Sequence, residues 1–315
     1  MKFQKEQMAE IVLGMREAFS KGENAMEWCR EYLRTVDTRL EGNELLATLI
    51  AYDLQAGSYV SAARRNHENY RRWCRQLAAL LESVVVNGDS ILEVGVGEAT
   101  TLAGILVELA GKVGKAFGFD VSWSRVAEGE KWLTKNNCKA KLFVADLLNI
   151  PIDDDSIDVV YSSHSLEPNR GKEEQALREC LRVARKAVVL IEPIYELASE
   201  QARARMRNHG YIEGLYETAQ RLGAEVLDYR LLEYSPNPLN PSGVVCIGKT
   251  RASNDKKEAG SNFWSCPITS SRLEPSKEVY FASDVGLAYP ILQGIPLLRS
   301  EHVIVASKLT RGTDG

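Results

Sequence analysis

The sequence predicts a doubly wound α/β fold set between an N-terminal helical cap and a small β-rich C-terminal module. Three observations predict it. Between residues 90 and 191, short apolar runs without polar alternation are separated by segments of helical spacing, the pattern of parallel strands buried on both faces. The first run leads directly into a glycine elbow, Gly95-Val96-Gly97, and then into a helix. Acidic or polar groups close the runs that follow, and open α/β sheets bind ligands at the carboxyl ends of their strands.

The cap spans residues 1–86. Met8, Ile11, Val12, Met15 and Phe19 recur at helical spacing. A second helix is expected over residues 43–58, where Tyr52 and Tyr59 would share a face unless Gly57-Ser58 interrupts it. A third, over 66–84, carries the stripe Tyr70, Trp73, Leu77, Leu80 and Leu81. Asn87-Gly88-Asp89 is a turn that ends the cap. Strands over 90–94, 113–119, 141–144, 157–162 and 187–191 then alternate with helices over 100–110, 124–136 and 172–183. A helix over 211–222 and closing strands over 225–233 and 243–248 complete a domain of residues 87–250. The proline-rich Ser235-Pro236-Asn237-Pro238 between those strands excludes a helix. Residues 251–261 are polar and read as a linker, and 262–315 as the β-rich module.

Composition narrows the function classes. The chain has 315 residues, 44% hydrophobic and 26% charged, with a net charge of -4. Such a balance suits a soluble globular enzyme and lacks the basic field that holds long nucleic acid. The six cysteines stand singly with no CxxC pair, which argues against a zinc knuckle or a thioredoxin-like site. The N-terminus has charges where a signal peptide needs an apolar core, and no run approaches the ~18 apolar residues of a membrane span. A cytoplasmic protein without a membrane partner is expected.

The elbow has its own electrostatics. Glu93 precedes the first glycine, and Ala99 stands near where a third would be. A carboxylate beside the loop repels a pyrophosphate and suits a cation. S-adenosylmethionine carries a sulfonium and an ammonium, so it is favoured over a nicotinamide dinucleotide. Asp120 closes the second strand roughly 20 residues beyond the loop, where an acid can accept hydrogen bonds from ribose hydroxyls. Asp146, with Leu147 beside it, follows the third strand and can meet an adenine amino group. The fourth runs out through Ser162, Ser163 and His164. Any one of these could be a helix cap or a loop residue; four in order are not explained that way.

On these residues the chain resembles the class I S-adenosylmethionine-dependent methyltransferase family, over about residues 88–195 and more loosely to 250. The resemblance implies that Glu93, Gly95 and Gly97 lie near the cofactor's methionine moiety, Asp120 and Val121 at its ribose, and Asp146 and Leu147 at its adenine, with Ser163 in the post-strand segment. It also implies S-adenosylhomocysteine as product and a Rossmann-like, seven-stranded sheet whose last strand is antiparallel. The family's post-strand segment often ends in histidine; Pro168 stands there, so that segment alone names no general base.

The cofactor supplies the activated carbon, while the protein orients the acceptor and removes a proton. His164, Glu167 and Tyr59 are the catalytic candidates. His164 titrates near neutrality, although it could instead position the cofactor wall. Glu167, with Glu192 next in line, is either a base or a structural acid. Tyr59 would contact the methionine carboxylate or the acceptor, or pack between cap and core. Arg64, Arg65, Arg71, Arg72 and Arg75 could hold an anionic acceptor, or form a solvated helix face. The expected reaction is methyl transfer to oxygen or nitrogen of a small-molecule or sugar-like acceptor, with no metal, no nucleic acid, and a homodimer as the protein partner. A tRNA or protein methyltransferase, or a silent cofactor-binding scaffold, is the alternative.

The tail resembles the small activator-subunit family that partners tRNA and protein methyltransferases, through Ser265-Cys266-Pro267 and the Tyr289-Pro290-Ile291 to Gly294-Ile295-Pro296 segment. Zinc-binding members use paired cysteines, whereas Thr269 stands where the second would be. The resemblance implies a fused, metal-free version covering a hydrophobic edge of the catalytic domain or a dimer partner.

Overall fold

The computed structural model describes residues 5–35, 44–167, 169–249 and 263–309. The expected linker therefore lies outside the described residues. Five helices precede the sheet: α1 (Lys5–Ser20), α2 (Ala25–Thr35), α3 (Glu44–Leu54), α4 (Ser58–Arg65) and α5 (His67–Glu82). The second expected helix is cut short at Leu54, and α4 starts separately at Ser58, because Gly57 takes φ 93°, a left-handed conformation that a continuous helix cannot contain. The division removes the shared helical face expected of Tyr52 and Tyr59.

The strands and helices that follow are β1 (Asp89–Val94), α6 (Thr100–Glu108), β2 (Val113–Asp120), α7 (Trp123–Lys135), β3 (Lys141–Val144), β4 (Ile157–Ser163), α8 (Glu173–Val183) and β5 (Ala184–Pro193). They continue through α9 (Glu200–His209), α10 (Leu215–Arg221), β6 (Glu225–Leu231) and β7 (Ser242–Gly248). Two helices were not legible as apolar stripes, α2 and α9. In α9 only small alanines and Met206 are apolar, so its bounds come from ends: Ser199 Oγ accepts the Ala202 amide at 3.3 Å, and Gly210 turns left-handed at φ 66°. The helix expected over 211–222 begins later, at Leu215, because Gly214 is left-handed at φ 68°.

The sheet order is β3-β2-β1-β4-β5-β7-β6. Strands β1 to β5 pair in parallel, and β7 runs antiparallel to both β5 and β6. Strand order reverses at β1, between β2 and β4, so a crevice opens beyond the carboxyl ends of these strands. Alternation along each strand assigns two cores. Leu92, Val94, Val160, Val188 and Leu190 pack on the α8 and α10 face, whereas Ile91, Val159, Tyr161, Val189 and Ile191 pack on the α5, α6 and α7 face. At the amino edge, Asp158 accepts the Ser90 amide at 3.0 Å and Arg185 Nη2 at 2.6 Å. Burial opposes its ionisation, but these partners and Lys186 hold its pKa below the usual carboxylate value. No helix among the described residues is long and apolar enough to cross a membrane.

The tail folds into a small antiparallel sheet of β8 (Glu274–Pro275), β9 (Val279–Ala282), β10 (Leu287–Leu292), β11 (Ile295–Pro296) and β12 (Ile304–Val305). It lies along the β3 edge. Leu297 bridges Val144 in parallel, and the Leu298 amide donates to the Val144 carbonyl at 2.8 Å. Trp264, 3% exposed, sets its ring edge-on to Phe143 at 4.9 Å and to Tyr280 at 5.4 Å, so the tail and one sheet face share a core. An edge that would otherwise expose unpaired backbone and apolar rings is thereby covered. Cys266 is buried, with its sulfur 3.3 Å from the Tyr289 hydroxyl.

Removal of the tail should therefore destabilise the domain. A chain ending at Lys249 is expected to aggregate or melt well below the full chain, and Trp264→Ala to cost about 3–5 kcal/mol in denaturant unfolding. An unchanged melting temperature and solubility for the shortened chain would contradict this packing.

Candidate active site

The crevice at the strand ends is a cavity of about 670 Å³. It is walled by the loop after β1, the ends of β2 and β4, the segment after β3, and residues of α4, α5 and the β6–β7 connection. Of the predicted site residues, Tyr59, Glu93, Gly95, Gly97, Asp120, Val121, Asp146, Leu147, Ser163 and His164 line it. Glu167 does not; it stands behind His164.

The elbow after β1 takes positive φ at Gly95 (68°), Gly97 (52°) and Ala99 (51°). A Cβ on Gly95 would come 2.2 Å from Ser165 Cβ, so the backbone there has room for no side chain. The loop is held from the second strand: the Val96 amide donates to the Phe119 carbonyl at 2.7 Å, and the Gly97 amide to Asp120 Oδ2 at 3.0 Å. Asp120 Oδ1 accepts the Ser122 amide at 2.9 Å. Burial raises the Asp120 pKa, against the Ser122 amide, the Arg125 charge and the Gly97 amide. After β3, Asp146 Oδ1 accepts the Leu148 amide at 2.9 Å.

Glu93 is 2% exposed and faces Tyr161 across the β1–β4 ladder. The Tyr161 hydroxyl donates to it at 2.8 Å. Burial drives its pKa up to about 8, the Tyr161 bond opposes this, and the Asp120 charge adds to it. A carboxyl in this state is held largely protonated until a positive charge arrives beside it.

His164 adopts φ 55° at the end of β4 and meets the edge of Trp73, ring centroids 5.6 Å apart. Its Nδ1 lies 2.7 Å from Glu167 Oε1, and its Nε2 2.7 Å from Ser242 Oγ. Burial lowers its pKa, but the Glu167 bond and the Glu167 and Glu192 charges outweigh burial and leave it raised. Glu192 is fully buried beneath this pair and accepts the Ser165 and Leu166 amides at 3.1 and 3.3 Å. Burial lifts it to about 7, the His164 charge working against and the Glu167 charge with it. Both nitrogens of His164 are thus engaged within the protein, and three titratable groups act as one cluster.

Tyr59 is 52% exposed and sits at the elbow, its ring 3.7 Å from where a Gly97 Cβ would be. The basic cluster is largely absorbed by the fold. Arg71 and Arg75 reach Glu108 at 3.7 and 3.6 Å, Arg72 stacks over Tyr234, and Arg64 lies over Trp132. Several groups escaped sequence reasoning: Glu98, Arg125, Trp73, Asn240 and Ser242. Glu98 occupies a loop position usually read only for glycines, and the rest come from elements far apart in sequence.

The residues fit a cationic nucleoside. Two fully buried acids, Glu93 and Asp120, flank a side-chain-free elbow on the wall of a cavity large enough for two ligands. Among the described residues no group of three histidine, cysteine or acidic side chains could hold a metal ion.

Residues 91–187 match the family model described as a methyltransferase domain. No curated protein matches the sequence. Among solved structures, the chain is similar to the magnesium protoporphyrin IX methyltransferase of Synechocystis PCC 6803 with bound S-adenosylhomocysteine. That match has 11% identity and a TM-score of 0.50, and covers 64% of this chain and 99% of that one. It shows the shared fold. The chain is also similar to a chain of the Haloferax volcanii complex between the Trm112 methyltransferase activator and a methyltransferase (18% identity, TM-score 0.48, covering 62% and 96%). A third match is an Aquifex aeolicus S-adenosylmethionine-dependent methyltransferase (18%, 0.42, covering 56% and 89%). Residues 91–187 thus carry a methyltransferase domain on a seven-stranded, Rossmann-like sheet, which supports an enzyme of S-adenosylmethionine-dependent methyl transfer.

Proposed function

We propose that this enzyme methylates oxygen or nitrogen of a small, sugar-like acceptor held in the outer half of the cavity. The observation that carries this reading is the make-up of the cavity wall. The rings of Tyr70, Trp73 and Tyr234 and the amides of Asn66, Asn69, Asn237 and Asn240 line the cavity. Amides donate and accept in equal measure, as hydroxylated ligands require, and aromatic faces cover the C–H side of a sugar ring.

Glu93, Gly95 and Gly97 would hold the methionine end of the cofactor, Asp120 and Val121 the ribose, and Asp146 and Leu147 the adenine, with Ser163 closing the wall. Bound there, the cofactor supplies a methyl carbon activated by its sulfonium. Glu93 balances positive charge in a site that excludes water. His164, on the cavity wall, accepts the acceptor's proton at Nε2, the nitrogen otherwise bonded to Ser242 Oγ, and Glu167 stabilises the imidazolium through Nδ1. Tyr59 packs over the cofactor end rather than reaching the acceptor.

Radiolabelled methyl transfer across a panel of sugars, nucleotide sugars, tRNA and protein tests the acceptor class; turnover confined to tRNA or protein would overturn it. Gly95→Arg is expected to abolish cofactor binding, and Asp120→Ala to weaken it by about 1–3 kcal/mol in calorimetry. His164→Asn should lower kcat by roughly 10²–10⁴ while leaving cofactor affinity near wild type. An unchanged kcat would remove His164 from the proton path.

The raised pKa of Glu93 sets a pH signature. Near pH 7 the carboxyl is mainly protonated, and a cation favours its ionised form. Affinity for S-adenosylhomocysteine, whose amino group stays charged across this range, should therefore tighten as pH rises from 6 to 7.5. Without ligand the sign inverts: an acid raised by folding destabilises the protein as pH climbs from its unfolded value toward about 8. Glu93→Gln should thus melt higher than wild type at pH 8 and bind cofactor less well, with a flat pH profile. A wild-type profile that is itself flat would contradict the role given to Glu93.

A further inference from the structure

The stretch from the end of α3 to the start of α4 crosses the cofactor end of the cavity and contributes Tyr52 and Tyr59 to its wall. It buries little of its own. Tyr52 and Leu54 to Gly57 are half-buried and Asp53, Ser58 and Tyr59 exposed, with apolar anchors only at Ala51 and Val60. A segment with so little apolar burial depends on its polar contacts for order.

Those contacts run to the two loops that frame the cofactor site. From the loop after β1, Glu98, 1% exposed, accepts the Gly57 amide through Oε1 at 3.0 Å and the Val60 amide through Oε2 at 2.8 Å. Its carboxylate supplies α4 with the N-terminal cap that Gly57, at the cap position, lacks a side chain to provide. From the first turn of α7, Arg125, 4% exposed, inserts between the two tyrosine rings, 4.6 Å from each centroid. Its Nε donates to the Tyr52 carbonyl at 3.3 Å and its Nη2 to Gln55 Oε1 at 3.2 Å. Ser124, beside it, bonds to Asp53. Nη1 lies 3.8 Å from where a Gly97 Cβ would be, so the guanidinium roofs the elbow directly.

We infer that residues 52–60 form a strap over the cofactor, and that Arg125 and Glu98 are positioning residues whose fastenings set the rate at which the nucleoside product leaves. The left-handed Gly57, where the Glu98 fastening begins, is the hinge. Withdrawing Arg125 means unstacking a cation from two rings while breaking two hydrogen bonds, which makes opening slow relative to a bare loop. The inference rests on the cofactor lying along the elbow, as proposed above.

The test uses the full chain and variants Arg125→Met, Glu98→Gln and Tyr59→Leu, the last an exposed position where folding is not at risk. Hydrogen exchange in the absence of ligand should show amides 52–60 exchanging faster in all three, with the sheet strands unchanged. Stopped-flow displacement should show S-adenosylhomocysteine leaving roughly tenfold faster, and Arg125→Lys, which keeps the charge but loses the planar stacking, should fall between. Where product release limits turnover, kcat rises as cofactor KM rises, a split that general destabilisation does not produce. Wild-type exchange over 52–60 in Arg125→Met and Glu98→Gln, or wild-type release rates, would overturn the strap. Failure of S-adenosylhomocysteine to bind the wild-type chain would instead overturn the placement of the cofactor, and the exchange arm would still judge the fastenings.

Discussion

A buried acid, Glu93, lies under a stretch of main chain stripped of side chains, and much of the molecule is arranged around that conflict. Burying a carboxyl is unfavourable unless something compensates. Here the Tyr161 hydroxyl offsets part of the penalty and proton uptake offsets more, leaving a group poised for a positive partner. The parallel strands bring this about. Because β1 is the central strand at which order reverses, its carboxyl end is flanked by β2 and β4 and lies deep in the sheet. A side chain there is buried, and the glycines beyond it leave the elbow's backbone bare toward the cavity.

The second acid, Asp120, works differently. It spends both oxygens on backbone amides of the loop and the following turn. It therefore fixes the elbow's shape as well as presenting charge, and the conformations of the β1 and β2 loops are coupled through it. The strap over residues 52–60 adds a third body to the same junction through Glu98 and Arg125. Binding, loop geometry and cap closure thus meet within one small volume, which is where a change at one can be felt at the others.

Much of this was legible in the sequence, for identifiable reasons. The parallel strands declared themselves because burial on both faces leaves no polar alternation, and the acids at strand ends could be placed because strand ends are where chain direction turns. The β-rich character of the tail was readable, and its place along the β3 edge follows from apolar rings such as Trp264 that need cover. What could not be read came from pairings between distant segments. Nothing in Glu98 or Arg125 locally marks them as partners of Gly57 and Tyr52. His164 was visible as a titratable group, but its engagement by Ser242, 78 positions away, was not. The helix expected over 43–58 stops at Leu54, and the break falls at the Gly57-Ser58 pair read as able to interrupt it.

The cover on the β3 edge belongs to the same polypeptide as the sheet it protects. Covalent connection turns what would be an encounter between two molecules into an intramolecular event, governed by an effective concentration that dilution cannot lower. Any separate protein competing for that strand would have to displace a resident that never diffuses away.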